Sequence, residues 1–311
     1  MGGRRTGETI GSSSLPPGGG LNCQALADGF LKDVHGINAC RRRTPLASAP
    51  PRDLYLTKPK VYVVGRQTLV ESELARFLQD EGLVFTTDTN VAAEILAEVA
   101  GRTCYMSFGK GRKSSREYLE NILTSKHGSV LEHAVWCLLI TGVSRALTHE
   151  LVRHRAGFGY SQLSQRYVDE SEACFVVPPL YQENPALRRK WQETIEVVRK
   201  AYVELAEAAA AHVAEKHPEL SPRDRRKWGR QAARSVLPNA TETKIFVTGN
   251  ARSWRHFLEL RGSPHADTEI RLLAVEVCRA LKKESPNIFH DVELYDDPDG
   301  LPAVRVTHSK V

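Results

Sequence analysis

The sequence lacks a long apolar run, a CxxC pair and an apolar stretch behind its amino terminus. Its longest nearly unbroken apolar stretch, residues 134–143, is about half of the roughly 20 residues that a membrane-spanning helix needs. We therefore expect no transmembrane segment and no membrane partner. The missing apolar leader argues against secretion, and the acidic residues Glu8, Asp28 and Asp33 argue against a transit peptide.

The cysteines are scattered along the chain, and four of the six fall inside apolar or periodic segments. This pattern is typical of reduced, buried thiols, so we expect a cytoplasmic protein. The six positions are Cys23, Cys40, Cys104, Cys137, Cys174 and Cys278.

The formal charge of +6 is concentrated at one end of the chain. Residues 1–58 hold eight Lys/Arg and four Asp/Glu, so only +2 remains for the other 253 residues. A nearly neutral body with locally placed arginines favours a small anionic ligand over a long nucleic acid.

Two parts can be distinguished by composition. Residues 1–58 are rich in Gly, Pro, Ser and Arg, and we predict a disordered extension there. Residues 59–311 contain no second linker and are long enough to bury a sizeable core, so we predict one domain.

Hydrophobic periodicity predicts a mixed α+β fold without repeating βα units. Strands are expected at 61–64, 134–141, 175–177, 243–247 and 291–295. Helices are expected at 71–79, 91–100, 116–125, 144–154, 186–216, 222–237, 251–260 and 264–283, the last behind a Ser263 cap with Pro264 as its first residue.

Ionisable groups converge near the end of the helix predicted at 144–154. Arg145, His149 and Arg153 form one row at helical spacing, with Glu150 and His154 beside it. A solvated basic last turn that complements the helix dipole is the alternative interpretation. A zinc-protease helix is excluded because HExxH needs a second histidine where Arg153 stands, so we expect no metal site.

A glycine-punctuated turn at 156–160 and the segment SQLSQRY at 161–167 follow this helix. If the segment is extended, Gln162, Ser164 and Arg166 point to one side. An amide can pair with a pyrimidine edge and a guanidinium can bind phosphate, so this set suits a nucleotide. A polar edge strand is the alternative. No phosphate-loop or Rossmann motif is present.

Further arginines occur towards the carboxyl terminus. Arg261 lies on the same apolar stripe as Trp254, and an arginine that faces inward needs a partner. His265 follows close to Arg261 at the next helix junction. Arg234 lies in a last helical turn, where compensation of the helix dipole would also explain it.

These motifs resemble the flavin-dependent thymidylate synthases, in particular their actinobacterial form with SQLSQRY. The family signature is RHR, seven residues, Ser and then x-Arg-Tyr; here it is formed by residues 153–155 and 164–167 with eight residues between them, one more than the family has. Because of the extra residue, the family's loop contacts are not carried over to residues 156–160. The likeness spans about 90–285 and includes GRTCY at 101–105, HGSVLEH at 127–133, ARSVLPN at 233–239 and LRGSPHA at 260–266.

The resemblance implies an α+β homotetramer with shared active sites that methylates dUMP to dTMP. The carbon would come from 5,10-methylenetetrahydrofolate and the reducing power from NADPH through FAD, with no nucleic-acid partner. The residues implied for the flavin are Ser129, Arg153, His154, Arg155, Gln162, Asn250, Arg252, His256 and His265. Those implied for dUMP are Glu150, Arg153, Gln162, Leu163, Ser164, Gln165, Arg166, Arg234 and Arg261, with Tyr105, His127 and Arg145 near the site.

The chemistry suits these residue types. Carbon 5 of uracil is a poor nucleophile, and an anion stabilised by Arg261 would activate it, so Arg261 is the predicted catalytic residue. Ser164 has no evident activating base, and we expect it to bind rather than attack. A competing hypothesis is an RNA- or nucleotide-binding module that stacks bases on Tyr160 and Tyr167, without flavin.

Overall fold

The computed structural model describes residues 53–311 apart from 110, 112, 113 and 310. The helices in that part are α1 (Glu71–Asp80), α2 (Ala92–Tyr105), α3 (Ser115–Thr124), α4 (Arg145–Leu151), α5 (Pro179–Gln182), α6 (Pro185–Lys216), α7 (Pro222–Ala233), α8 (Ala251–Arg261) and α9 (Thr268–Glu284), with 3₁₀ turns at Gly128–His133 and Arg234–Val236. The strands are β1 (Tyr55–Leu56), β2 (Lys60–Arg66), β3 (Val135–Ser144), β4 (Phe158–Gln162), β5 (Phe175–Val176), β6 (Glu242–Asn250), β7 (Val292–Asp296) and β8 (Pro302–Val306). None of the described helices combines the length and apolar character that a membrane crossing requires. The predicted α+β class is confirmed.

Four antiparallel strands form the central sheet in the order β2-β3-β6-β4. Alternate side chains of β3, including Trp136, Leu138 and Ile140, are buried, because one face of the sheet lies on the core. Ser144, the last residue of β3, leads directly into α4, and Asn250, the last residue of β6, leads into α8. The two central strands thus determine where both helices of the candidate site begin.

Helices α8 and α9 supply much of the apolar core. Trp254, Phe257 and Leu258 of α8 are fully buried, as the predicted stripe requires. The predicted start of α9 at Pro264 is wrong, because Asp267 caps the helix by accepting the backbone N–H of Glu269 at 2.9 Å. The side chain of Ser263 instead accepts a backbone N–H within the preceding turn.

The folded part begins earlier than residue 59. β1 pairs in parallel with β5, and Tyr55 lies opposite Phe175. Leu54, Tyr55 and Trp191 pack against a small core formed by Ala173, Phe175 and Ile195. Residues 53–58 therefore contribute to the fold instead of belonging to a disordered extension, and the predicted boundary was too late; residues 1–52 lie outside the described part of the chain.

Several other expectations need correction. Cys104 is exposed, whereas the sequence predicts buried thiols. The helix expected to run to Leu237 ends at Ala233 and continues as a 3₁₀ turn. β8, which pairs with β7 in an antiparallel hairpin, has no predicted counterpart.

Candidate functional site

Helix α4 positions Glu150, and the loop that follows the helix positions His154. The Ser144 hydroxyl caps α4 by accepting the backbone N–H of Leu147 at 3.0 Å, and it donates to Glu269 at 2.7 Å. The helix ends at Leu151, three residues before the predicted end at His154. Glu150 therefore lies in the last helical turn, and His154 lies in the loop that follows.

Arg261 joins α8 to α4 through two hydrogen bonds. Its Nη1 donates to Glu150 Oε2 at 2.8 Å, and its Nε donates to His154 Nε2 at 3.1 Å. The side chains of Arg261 and Glu150 are 23% and 32% exposed, so the ion pair opens to solvent on one side. The partner that the sequence requires for Arg261 is thus Glu150, with His154 as a second acceptor.

His154 is neutral at ordinary pH. Its Nε2 can accept from Arg261 only when that nitrogen carries no proton. Burial, together with the charges of Arg261 and His256, lowers the pKa of His154 to about 4. The imidazole packs edge-on against Phe257 with ring centroids 5.5 Å apart. The site therefore presents a fixed acceptor beside a permanent cation.

The SQLSQRY segment is not extended throughout. β4 ends at Gln162, and the Ser164 carbonyl accepts the backbone N–H groups of Tyr167 and Val168 at 3.2 and 3.0 Å. The Ser164 hydroxyl also accepts the N–H of Arg166 at 3.4 Å. This turn overrides the predicted alternation of Gln162, Ser164 and Arg166 on one side of a strand. The glycine-rich turn expected at 156–160 is shorter too, because β4 begins at Phe158.

The beginning of this segment is anchored on α4 and β6. Gln162 Nε2 donates to Thr148 at 2.9 Å and to Thr243 at 3.3 Å. Arg145 Nη1 donates to the Leu163 carbonyl at 3.3 Å. Burial is the main cause that lowers the pKa of Arg145; the neighbouring Arg234 lowers it further, and Glu170 opposes the shift. Arg145 and Arg234 therefore form a positive pair beside the turn.

Three buried polar atoms in this turn lack hydrogen-bond partners among the described residues. They are Gln165 Nε2, Arg166 Nε and Glu170 Oε1. Native proteins satisfy most buried polar atoms, so such a cluster needs an explanation such as a ligand or water. The turn therefore presents two donors and one carboxylate oxygen that remain available.

Glu170 is a charged residue of this region that sequence reasoning missed. It is 5% exposed, and burial raises its pKa to about 7 despite the nearby Lys244 and Arg145. Its backbone N–H donates to the Tyr202 hydroxyl of α6 at 3.3 Å. The sequence carries no signal for this burial, because Tyr202 is 32 residues further along the chain.

A cavity of about 400 Å³ lies at the amino-terminal end of α8. Among its lining residues are the predicted flavin residues Asn250, Arg252 and His256, together with Gly157. The positive end of the helix dipole and an arginine favour an anionic group there, although the N–H groups of Ala251 and Ser253 already have acceptors. Arg252 already donates to Glu132 at 2.6 Å and to the Val311 carbonyl at 3.0 Å, so an anion would share it with both.

The loop with the extra residue is docked onto this helix start. Ser253 Oγ donates to the Ala156 carbonyl at 2.8 Å, and the backbone N–H of Asn250 donates to the Gly157 carbonyl at 3.3 Å. Gly157 has φ +71°, and a Cβ atom there would lie 2.1 Å from Ser253 Oγ. Only glycine fits this turn without rearrangement.

A second cavity shares Arg252 with the first. It is lined by Ser129, His127 and Tyr105, and the rings of the last two stack at 6.3 Å. Of the three residues expected near the site, Tyr105 and His127 thus lie together, whereas Arg145 lies beside the turn at 164–170. The predicted additional set is divided between two places.

Some predicted residues remain apart from this network. Arg153, Arg155, Arg234 and His265 are exposed, and their side chains form no hydrogen bond or ion pair with the described residues. His265 is not bonded to Arg261 in the described chain, although the sequence places the two close together. The structure thus assembles Glu150, His154 and Arg261 directly and leaves the exposed arginines open.

Comparisons with known proteins identify the family to which the chain belongs. The family model described as thymidylate synthase complementing protein matches residues 86–287, which include α4, the turn at 164–170 and α8. The flavin-dependent thymidylate synthase of Mycobacterium tuberculosis is 46% identical over 227 residues, which cover 72% of this chain and 89% of the relative.

Two further relatives carry the same name. The one from Mycobacterium avium is 45% identical over 227 residues, or 72% of this chain and 89% of its own. The one from Mycolicibacterium vanbaalenii is 47% identical over 219 residues, or 70% of this chain and 86% of its own. With a family model across most of its length and relatives of this identity and coverage, the chain belongs to the flavin-dependent thymidylate synthase family.

Proposed function

We propose that this chain converts dUMP to dTMP, taking the carbon from 5,10-methylenetetrahydrofolate and the hydride from FAD that NADPH has reduced. The observation that carries the proposal is the hydrogen-bonded cluster of Glu150, Arg261 and His154. It joins the end of α4 to the end of α8 and contains the central histidine of the RHR signature.

The turn after β4 fits the substrate dUMP. The available Nε2 of Gln165 and Nε of Arg166 are donors of the kind that a phosphate or a uracil carbonyl accepts. Arg145 and Arg234 add positive charge beside them. We assign dUMP to Glu150, Arg153, Gln162, Leu163, Ser164, Gln165, Arg166, Arg234 and Arg261.

The cavity at the start of α8 fits an anionic cofactor such as FAD, because a helix start and Arg252 meet there. FAD supplies hydride chemistry that no side chain of the protein can perform. We assign the flavin to Ser129, Arg153, His154, Arg155, Gln162, Asn250, Arg252, His256 and His265, with Tyr105 and His127 near it. Ser129 and Arg252 would extend the binding surface from the first cavity to the second.

Arg261 contributes electrostatic stabilisation. Glu150 and His154 hold two of its N–H groups, and among the described residues its Nη2 has no hydrogen-bond partner. A guanidinium oriented in this way can stabilise negative charge on the uracil ring, which makes carbon 5 more nucleophilic. Because His154 is neutral, it holds Arg261 without adding a competing positive charge.

We also propose a homotetramer with active sites shared between subunits. Arg153 and Arg155 belong to the signature but are exposed and unbonded within the described chain, which supports completion of the site by a partner copy. The free thiols of Cys104, Cys137 and Cys278 support a cytoplasmic location.

The experiment is a spectrum combined with a turnover assay. The purified full chain should show flavin absorbance, and with FAD and methylenetetrahydrofolate it should oxidise NADPH only when dUMP is present. Formation of dTMP should match NADPH consumption. A chain that binds no FAD and forms no dTMP when all cosubstrates are supplied would contradict the proposal.

A further inference from the structure

Three side chains that are distant in sequence meet at α3. Glu120 lies on α3, His290 lies between α9 and β7, and His308 follows β8. Their ligand atoms all lie within 4.8 Å of one another. Glu120 Oε2 contacts His290 Nε2, and Glu120 Oε1 lies 3.0 Å from His308 Nε2.

The protonation pattern of His290 is determined by a backbone carbonyl. His290 Nδ1 lies 2.7 Å from the Asn287 carbonyl, which can only accept, so Nδ1 must carry a proton. Nε2 then points at a carboxylate, which also only accepts. In this direct contact only a second proton fits between His290 and Glu120, and a metal ion would replace that proton and move the carboxylate outward. A histidine held by a carbonyl on one nitrogen is the usual arrangement of a metal ligand.

The two histidines are also held in place by the backbone around them. Asp291, next to His290, accepts the backbone N–H of His308 at 2.9 Å and is itself bound by the buried Arg255 at 2.7 and 2.8 Å. The Asp291 carbonyl accepts the N–H of Thr307 at 3.1 Å. The imidazoles thus stand on a rigid frame without any need for a contribution from Glu120.

We propose that Glu120, His290 and His308 bind a divalent transition-metal ion of the Zn²⁺ class. Two imidazole nitrogens and one carboxylate form a donor set that Zn²⁺ accepts at about 2.0–2.2 Å, with the fourth position left for water. Tetrahedral bonds of about that length separate ligand atoms by roughly 3.3–3.5 Å, close to the 3.0 Å between His308 and Glu120. The Glu120 oxygen that contacts His290 would have to move outward to reach the same spacing.

The site has room for a fourth ligand, and a bound ion would connect three segments of the fold. His308 borders a surface cavity of about 370 Å³, so water can reach the metal. The metal would link α3, the α9–β7 connection and the segment after β8. The family model ends at residue 287, before both histidines, so neither imidazole lies in the region that the model matches.

Zn²⁺ titration of the full chain, with flavin bound and after removal of metals by a chelator, tests the proposal. Calorimetry should show one Zn²⁺ ion bound per chain and no comparable binding of Mg²⁺, which prefers oxygen ligands. Co²⁺ in place of Zn²⁺ should give the visible absorption of a tetrahedral site. Zn²⁺ should also raise the thermal unfolding midpoint.

Variants assign the ion to these residues. Loss of an outer-sphere partner weakens metal binding by about 10–100-fold. His308→Gln removes a direct ligand, so it should weaken Zn²⁺ binding by more than that. His217→Gln is the matched control, because it removes a His–Glu pair of 3.1 Å on the surface and should leave Zn²⁺ affinity unchanged. Absence of Zn²⁺ binding, Mg²⁺ binding of equal strength, or Zn²⁺ binding that survives in His308→Gln would overturn the proposal and leave a metal-free clamp.

Discussion

Arg261 is the last residue of α8 and forms an ion pair with Glu150 of α4. Its place on an apolar stripe predicts a partner, and Glu150 with His154 provides two. The sequence groups Glu150 with Arg153 by helical spacing, but α4 ends before Arg153, and the carboxylate turns to α8 instead. Periodicity identifies a shared helix face, whereas the contact between two helices depends on how the sheet positions their starts.

Arg261→Lys should lower kcat/KM for dUMP by roughly 10–150-fold. Lysine cannot bind Glu150 and His154 in the same geometry, and a hydrogen bond to a charged group contributes about 1.5–3 kcal/mol. The measurement is dUMP-dependent NADPH oxidation, with circular dichroism to verify the fold. Arg279→Lys, in an exposed pair with Glu276, is the control that should retain activity. An unchanged kcat/KM would remove the role assigned to Arg261.

His154 should make stability depend on pH. Its folded pKa of about 4 lies below the usual 6.5, so the unfolded chain takes up a proton first as the pH falls. The free energy of unfolding should therefore decline between pH 6.5 and pH 4 and level off below that. Urea unfolding across this window should give a shallower decline in His154→Gln. The exposed His212→Gln should follow the wild type; equal slopes in all three proteins would refute the assignment.

At the scale of elements, the signature loop with its extra residue is held against the start of α8 by residues 156–157. Gly157→Ala would meet two obstacles: the left-handed φ of +71° and a clash with Ser253. Gly300→Ala meets only the first, because Gly300 has φ +75° and a Cβ atom added there would have no heavy atom within 4 Å.

We expect Gly300→Ala to lose about 1–2 kcal/mol, the cost of the left-handed conformation, and Gly157→Ala to lose about 1–3 kcal/mol more through overpacking. Urea unfolding measures both losses, and FAD titration should show weaker binding only in Gly157→Ala. Equal losses of stability and equal FAD affinity would mean that the turn is not fixed to α8.

Removal of the α4 cap should lower the free energy of unfolding more than removal of an ordinary helix cap does. Ser144 caps the helix and also donates to the partly buried Glu269, whose pKa is raised by burial. Ser144→Ala should cost about 1–3 kcal/mol, because a partly buried carboxylate oxygen loses its partner. Ser221→Ala is matched in its contacts, since Ser221 caps α7 and donates to Asp224, but it is exposed. Its cost should stay near about 0.5–1 kcal/mol in the same urea unfolding assay; similar losses would contradict the difference in burial.

The elements show why local sequence predicts some boundaries and misses others. β2, β3, β6 and the apolar stripe of α8 follow from periodicity, because one face of each meets the core. The turn after Leu163 does not, because Ser164 offers its backbone neighbours hydrogen bonds that compete with strand extension. α9 begins late for a similar reason, since Asp267 competes with Ser263 for the capping position.

At the scale of the whole molecule, the arrangement of the candidate site is only partly contained in the chain's local patterns. Its arginines and RHR signature could be named from sequence, and their division between two cavities and one turn could not. Glu170 was missed because its burial depends on Tyr202, which packs from a distant helix. Motifs in the sequence predict many of the candidate residues, whereas their arrangement in space depends on tertiary contacts.

The proposed tetramer is tested by mass. Light scattering coupled to size exclusion should give about four times the 34.6 kDa of one chain. Arg155→Ala should reduce turnover while the mass stays unchanged if its role is to complete a shared site. A monomeric species with full activity would rule out the shared arrangement.

β1 has a practical meaning for work with shortened chains. A chain cut at the beginning of β2 would lose the parallel pairing to β5 and uncover Phe175 and Ile195. One that begins at Asp53 would keep both. Limited digestion should therefore leave Leu54 and β1 attached to β5, and a shortened chain for crystallisation or labelling should retain them.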